Sequence, residues 1–219
     1  MPVVTVASTK GGTAKTTLAL CLADWWRHAN LTVECLDIDP NRNLSAWIGR
    51  CELPITCQSV GEDDVVFAAV EAARRSDMVV IDVAGSLARG MLYAIGAADA
   101  VLIPCKPSAN DALEAARTRQ QIMTAIAAAQ KRAPNAHIPH AVVLTQVNRR
   151  ASVTANTVDQ LRVLGVPLLG NSAGPVDMPH RTAYQQASYR GSPLDDPAVR
   201  EDMGVIVSAV EQLIETCHG

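Results

Sequence analysis

The sequence predicts an α/β fold, a three-layer sandwich with a mostly parallel central sheet. Short apolar runs rich in β-branched residues alternate with longer segments of helical periodicity. The central runs carry almost no polar residues, as expected of parallel strands that are buried on both faces. The 48% hydrophobic content can fill one sizeable core, and no linker-like segment divides the chain. We therefore expect a single domain over residues 1–219.

Seven strands and five helices are predicted. The strands are residues 3–7, 32–38, 55–60, 78–83, 100–104, 141–147 and 167–169. The helices are residues 16–28, 64–75, 111–132, 152–164 and 196–217. Ligands of such sheets bind at the carboxyl ends of the strands, so the residues that follow each run are the candidates for a functional site.

A glycine-rich stretch between the first strand and the first helix predicts a phosphate-binding loop. Its backbone N–H groups can surround the oxygens of a di- or triphosphate, and the following helix points its positive end at them. Lys15 would neutralise the β- and γ-phosphates, and the Thr16 hydroxyl would ligate Mg²⁺. The predicted nucleotide-binding residues of this loop are Lys10, Gly11, Gly12, Thr13, Ala14, Lys15, Thr16 and Thr17.

Carboxylates at the ends of two predicted strands complete this site. Asp37 and Asp39 follow the second strand, and Asp82 ends an apolar run of the fourth. Such groups at the carboxyl edge can hold water or Mg²⁺-bound water beside the γ-phosphate. Gly85, shortly after Asp82, would let the backbone approach that phosphate. We therefore predict a site for a nucleoside triphosphate and Mg²⁺.

Composition and charge narrow the function classes. A formal net charge of −3 and a pI near 5.9 exclude a protein coated in basic charge, so nucleic acid would have to bind at a local patch. No secretory signal and no membrane-spanning run is present in the sequence, so we expect a cytoplasmic protein without a membrane partner. The six cysteines have no metal-ligand spacing, and we interpret them mainly as small core residues.

The pattern Lys-Gly-Gly-x-x-Lys-Thr-Thr over residues 10–17 resembles the deviant Walker A box of the ParA/MinD family of partition and positioning ATPases. The resemblance implies a P-loop NTPase fold that uses ATP and Mg²⁺. It also implies a homodimer that sandwiches two nucleotides, in which Lys10 reaches the phosphates of the partner subunit. Lys10, Lys15 and Asp39 are then the catalytic residues, with Asp39 positioning the attacking water and Asp37 more structural.

The same resemblance assigns further residues. Thr16, Asp39 and Asp82 would form the metal site, and Gln146 and Asn148 would contact the adenine. The basic residues of the C-terminal region would bind nonspecific DNA in the ATP-bound dimer, which makes Arg181, Arg190 and Arg200 the candidates. A partner protein, ParB-like or a cargo adaptor, would stimulate slow hydrolysis, and the ATP-bound protein would associate with the nucleoid. The cargo stays open between a plasmid, a chromosome and a protein assembly.

One departure from the family concerns Ala14, which stands where glycine is usual. Alanine is compatible with the loop only if its backbone is right-handed, because a left-handed backbone would cost about 1–2 kcal/mol. We expect nucleotide binding to survive, with slow hydrolysis.

Three alternatives remain open from the sequence. A nitrogenase-reductase-like redox protein would need cysteines at the dimer axis for an iron–sulfur cluster, and Cys105 is the one conceivable ligand near that face. The second alternative, a dethiobiotin-synthetase-like ligase, does not explain the presence of Lys10. The third is a scaffold that binds nucleotide without hydrolysing it, in which Ala14 would be the change that abolishes hydrolysis. Cys105 and Lys106 are both placed where either could face a partner chain, and Cys105 is expected to be inert.

Overall fold

The predicted three-layer sandwich is confirmed in the computed structural model, which describes residues 1–85 and 88–216. In these residues seven parallel strands form one sheet in the order β3-β2-β4-β1-β5-β6-β9. A separate antiparallel hairpin, β7-β8, lies outside it. From β1 the chain passes to β2 and β3, returns to β4 beside β1, and then continues outward on the other side through β5, β6 and β9.

The bounds of the elements follow the predicted pattern closely for the central strands. The strands are β1 Val3–Val6, β2 Val33–Asp37, β3 Thr56–Ser59, β4 Met78–Asp82, β5 Ala100–Cys105, β6 His140–Val147, β7 Gly170–Asn171, β8 Gly174–Pro175 and β9 Asp177–Pro179. The helices are α1 Lys15–His28, α2 Asn43–Arg50, α3 Val65–Arg75, α4 Ala88–Gly96, α5 Ala109–Gln130, α6 Ser152–Val163, α7 Thr182–Arg190 and α8 Pro197–Glu215, with a 3₁₀ turn over Pro193–Asp195.

Two apolar cores lie on opposite faces of the sheet. Helices α1, α2, α7 and α8 contribute to one, and α3, α4, α5 and α6 contribute to the other. Strands β1, β2, β4 and β5 are fully buried, which explains why their sequences lack polar alternation. The helices therefore hold the carboxyl edge of the sheet in place from both sides.

The structure corrects one predicted strand and adds three helices. Residues 167–169 form only an isolated parallel bridge, between Leu168 and Val142, and β9 takes the edge position beside β6. The unpredicted helices are α2, α4 and α7, which are eight or nine residues long and too short for a strong periodic signal. The last residue of the predicted helix 196–217, Cys217, lies outside the described residues. None of the helices in the described ranges is long and apolar enough to cross a membrane.

Candidate functional site

The glycine-rich loop connects β1 to α1 at the carboxyl edge of the sheet. Helix α1 begins at Lys15, and its N-cap residue, Ala14, provides no side-chain cap. The N–H of Leu18 donates to the Ala14 carbonyl at 2.9 Å, as the first hydrogen bond of the helix. The N–H groups of the first helical turn therefore stay available to an anion, and the helix dipole adds a positive potential at the same place. This arrangement is suited to phosphate oxygens.

Ala14 does not have the right-handed backbone that is expected of an alanine at this position. Its φ of 68° and ψ of 28° lie in the left-handed region. The loop reverses direction here so that α1 can begin at Lys15, and the structure keeps that path although alanine replaces glycine. The cost expected for an L-residue in this conformation is about 1–2 kcal/mol.

Lys15 points back over the loop that carries it. Its Nζ donates to the Lys10 carbonyl at 2.7 Å. Burial lowers the pKa of the Lys15 ammonium, while the nearby carboxylates of Asp82 and Asp39 act to raise it. A buried ammonium at the start of α1, where the N–H groups of the first turn are free, is positioned to neutralise phosphate oxygens.

Thr16 and Asp82 meet below the loop. The Thr16 hydroxyl donates to Asp82 Oδ2 at 2.7 Å, and Asp82 Oδ1 is buried without a partner among the described residues. Burial raises the pKa of Asp82 to about 7, although the hydrogen bond from Thr16 lowers it. A divalent cation would satisfy the buried oxygen and favour the ionised carboxylate. The hydroxyl and the carboxylate therefore fit a Mg²⁺ site.

The two carboxylates after β2 have different surroundings. Asp37 is buried and accepts from the Asp39 N–H at 3.1 Å and from the N–H and hydroxyl of Ser45 at 2.9 and 3.0 Å. Asp39 is half-buried and accepts from the Asn41 N–H and Nδ2 at 2.9 and 3.0 Å and from Asn43 Nδ2 at 3.1 Å. Asp37 thus holds the β2–α2 turn together, and Asp39 is presented to the loop.

Two adjoining cavities share Ala14 and Thr17. The first, of about 530 Å³, is lined by Thr9, Gly11, Gly12, Ala14, Lys15, Thr16, Thr17, Asp39, Asn41, Asn43, Ala84 and Gly85. The second, of about 500 Å³, is lined by Ala14, Thr17, Trp47, Gln146, Met178, Pro179, His180, Arg181, Tyr184, Gln185, Ser188 and Tyr189. We call the first the polar cavity, because charged and hydroxyl side chains line it, and the second the aromatic cavity, because Trp47, Tyr184 and Tyr189 line it. The polar cavity suits phosphates and the aromatic cavity suits a nucleobase, so one nucleotide could span both.

Gly85 lines the polar cavity and packs against the start of the loop, where a side chain would be crowded. A Cβ at this position would lie 3.1 Å from both the Lys10 carbonyl carbon and the Ser8 carbonyl oxygen. The turn after β4 therefore packs directly against the start of the loop, which couples the two segments mechanically.

The structure brings Gln146, and not Asn148, to the aromatic cavity. Gln146 lies at a bulge where the β6–β9 register shifts between Thr145 and Val147, and its φ is 54°. A bulge of this kind re-aims one side chain relative to the strand. The Asn148 side chain instead accepts from the Arg150 N–H at 3.1 Å, which stabilises the turn into α6.

The first lysine of the loop lies away from the polar cavity. Lys10 Nζ forms an ion pair with Asp111 Oδ2 at 2.7 Å, and the two side chains are 39% and 5% exposed. Asp111 is in the first turn of α5, and its Oδ2 also accepts from the hydroxyl of Ser108, the N-cap residue. To reach any phosphate, Lys10 has to leave this carboxylate.

Cys105 is buried at the end of β5, as an inert cysteine should be. Its side chain is 1% exposed, and burial raises the pKa of its thiol to about 12. Lys106, the next residue, is half-buried beside the loop.

The three candidate DNA-contacting arginines differ in their surroundings. Arg181 Nε donates to the buried carboxylate of Asp202 at 2.6 Å, and the pair raises the Arg181 pKa. Arg200 donates from Nε and Nη2 to the Leu194 carbonyl at 3.1 and 2.9 Å. Arg190 is exposed at the end of α7 and has no hydrogen-bond or ion-pair partner among the residues that the structure describes. Of the three guanidinium groups, that of Arg190 is the free one.

Several lining residues were not assigned to the site from the sequence. Trp47 lies on a helix that was not predicted, and its Nε1 donates to the Gly191 carbonyl at 3.1 Å across the fold. Tyr184 and Tyr189 lie on α7, which was also not predicted. Asn43, the first residue of α2, reaches Asp39 only because the turn before it brings it back. A helix prediction in residues 43–50 or 182–190 is what would have revealed them.

Comparison with known proteins identifies the family of the chain. The family model described as the CobQ/CobB/MinD/ParA nucleotide binding domain matches residues 4–194. A ParA protein of Rhizobium radiobacter is 34% identical over 216 residues, which cover 96% of this chain and 92% of that protein. The maintenance of carboxysome distribution protein A of Halothiobacillus neapolitanus is 29% identical over 195 residues, which cover 85% of this chain and 83% of its own.

The fold is also that of Cyanothece McdA. The apo structure of that protein has a TM-score of 0.76 at 17% identity and covers 96% of this chain and 99% of its own. An ATP complex of a McdA variant has a TM-score of 0.71 and covers 96% of each chain. The chain therefore belongs to the CobQ/CobB/MinD/ParA family of nucleotide-binding domains, among the P-loop ATPases of the ParA/MinD type.

Proposed function

We propose that this protein is an ATPase that dimerises around ATP, binds nonspecific DNA and uses partner-stimulated hydrolysis to position a cargo. The proposal rests mainly on the position of Lys10, the second lysine of the phosphate loop. Its ammonium pairs with Asp111 Oδ2 at 2.7 Å, and Lys10 does not line the polar cavity of its own chain. A lysine outside the polar cavity of its own chain could serve a neighbouring subunit once it leaves Asp111. The cargo could be a plasmid, a chromosome or a protein assembly.

The residues of the polar cavity support ATP and Mg²⁺ as its ligands. Thr16 and Asp82 would hold the metal, and Asp39 lies on the same cavity as a further oxygen donor or as the group that orients water. Bound Mg²⁺ would neutralise part of the charge on the β- and γ-phosphates. Lys15 would add its own positive charge to the same phosphates, and the N–H groups of the first turn of α1 would fix their position.

The base would enter the aromatic cavity. Gln146 can both donate to and accept from a purine edge, and Trp47 and Tyr189 offer flat apolar surface nearby. Of the two amides assigned to the adenine, we favour Gln146, because it lines this cavity, whereas Asn148 Oδ1 accepts from the Arg150 N–H.

Dimerisation would require Lys10 to exchange Asp111 for a phosphate of the partner subunit. Asp111 is nearly buried, and its second oxygen already has no partner among the described residues, so the separated carboxylate would be poorly solvated. We expect the exchange to be favourable only when two ATP molecules are present. Hydrolysis would then depend on protein concentration, because the charge stabilisation of each site is completed by the other chain.

DNA binding is assigned to a local basic patch of the dimer. Arg190 is the first candidate, because its guanidinium is exposed and unpaired among the described residues. Arg181 and Arg200 remain candidates that would have to exchange their present partners, Asp202 and the Leu194 carbonyl, for DNA phosphates. A protein of net charge −3 should hold DNA through few contacts and lose it at moderate salt. Association with the nucleoid would follow from this binding.

The experiment that tests the proposal measures ATP turnover and retention on nonspecific duplex DNA together, with ATP and with ADP. We expect retention with ATP only, and a turnover per molecule that rises with protein concentration. Lys10→Ala should reduce both the DNA retention and the turnover. Lys131→Ala, which removes an exposed lysine after α5, is the matched control. A turnover that is independent of concentration and unchanged in Lys10→Ala would refute the dimer. Turnover without DNA retention would refute the assignment of the arginines.

A further inference from the structure

We propose that Lys106 is a third lysine of the phosphate site and binds phosphate oxygens of a nucleotide at the outer side of the loop. The inference rests on the proposed nucleotide binding and adds a residue to it. Lys106 follows β5 and precedes α5, far in sequence from the loop. No pattern in the sequence connects the two segments.

The Lys106 ammonium lies close to the glycine-rich loop. Lys106 Nζ lies 3.8 Å from the position that a Cβ on Gly12 would occupy. Gly12 has a φ of 72° and belongs to the turn that surrounds the polar cavity. A positive charge therefore lies against the glycine-rich loop, whose backbone N–H groups are suited to an anion.

The Lys106 ammonium has no partner among the residues that the structure describes. Among the described residues no carboxylate lies within 4.0 Å of Lys106 Nζ, and the group donates no hydrogen bond. The other two lysines of the site are engaged, since Lys10 pairs with Asp111 and Lys15 donates to the Lys10 carbonyl. A half-buried cation loses part of its hydration, so an unpaired one beside a phosphate loop is best explained by an anion that binds there.

The use of lysine in the chain supports the same conclusion. The chain has 19 lysines and arginines together, and its lysines are Lys10, Lys15, Lys106 and Lys131. Three of these four lysines lie at the loop, whereas nearly all the other positively charged residues of the chain are arginines. Lysine is the compact point charge that suits a phosphate approached from one direction.

The phosphate could belong to the nucleotide of the same subunit or, in the proposed dimer, to that of the partner subunit. Both sources present the same oxygens. They differ in concentration dependence, because a contact within one subunit acts on the monomer and a contact between subunits acts only when the dimer forms.

The test uses fluorescent ATP and ADP analogues with the full chain at nanomolar and micromolar protein. Lys106→Met should weaken ATP binding roughly tenfold and flatten its dependence on salt. Lys106→Arg should restore most of the affinity, and Lys131→Met should match the wild type. The melting temperature without nucleotide should be the same in all variants, which separates a phosphate contact from a folding defect.

The protein concentration at which Lys106→Met loses affinity distinguishes the two sources of the phosphate. A loss already present at nanomolar protein assigns the contact to the same subunit, and a loss confined to micromolar protein assigns it to the partner; both support the inference. Wild-type affinity in Lys106→Met at both concentrations overturns it and leaves the proposed function standing. A wild-type protein that binds no ATP overturns the proposed function and this inference together.

Discussion

Ala14→Gly should stabilise the protein, against the usual effect of introducing glycine. The left-handed backbone of Ala14, with φ 68°, costs an L-residue about 1–2 kcal/mol, and glycine removes that cost. Glycine also increases the entropy of the unfolded chain, which lowers stability by about 0.4–1 kcal/mol. The difference leaves a net gain in the free energy of unfolding of roughly 0.5–1 kcal/mol. For a chain of this size, that corresponds to a rise of about 1–4 °C in the melting temperature.

Urea and thermal unfolding of the two proteins without nucleotide measure this change. The matched control is Ala29→Gly, because Ala29 is exposed and has an ordinary backbone with φ −80° and ψ 10°. At Ala29, glycine only raises the entropy of the unfolded chain, so we expect the free energy of unfolding to fall by about 0.4–1 kcal/mol. If Ala14→Gly destabilises the protein as much as Ala29→Gly does, the left-handed conformation of the loop is wrong.

Three further predictions concern the turn after β4, the C-terminal helix and the aromatic cavity. Gly85→Ala should lower stability by about 1–3 kcal/mol, because its Cβ would lie 3.1 Å from the Lys10 carbonyl carbon; unchanged unfolding would contradict this packing. Asp202→Asn should cost about 1–3 kcal/mol in urea unfolding, since it removes the charge that Arg181 contacts at 2.6 Å; a loss below about 0.5 kcal/mol would make the pair negligible. ATP should change the tryptophan emission, and Trp47→Phe should abolish the change; a signal that survives would place the base elsewhere.

The fold and the centre of the site could be predicted because their signals are local. The burial of β1 and β4 on both faces forces apolar sequences with little alternation, so the strands stand out. Lys15 and Thr16 are set by the loop itself, and Asp82 by the strand that ends at it. Parallel strands place all three at one edge of the sheet whatever the details of the connections.

The contacts between distant segments could not be predicted. The Lys10–Asp111 pair spans 101 residues, and the approach of Lys106 to Gly12 depends on how the β5–α5 turn lies on the loop. Trp47 reaches its cavity on a helix of eight residues, which is too short to predict from periodicity. In each case the relevant distance is set by packing between elements, and packing leaves no fixed spacing in the sequence.

Backbone strain separates ordinary turns from the candidate site. Of the non-glycine residues that have a positive φ in the described chain, Asn30 and Glu52 lie just past the ends of α1 and α2. Each donates its N–H to the carbonyl three residues before it, Asn30 to Arg27 at 3.0 Å and Glu52 to Gly49 at 3.3 Å. Left-handed residues are common at this position of a helix end, so these two need no functional explanation.

The other positive-φ residues, Ala14, Arg42 and Gln146, end no helix. Ala14 and Gln146 line the two adjoining cavities, and Arg42 is the N-cap of α2 between the two asparagines that hold Asp39. A left-handed backbone at each costs stability that a right-handed turn would not. Because strain of this kind persists where the surrounding structure requires a particular geometry, its occurrence in or beside one site among the described residues supports the assignment of that site.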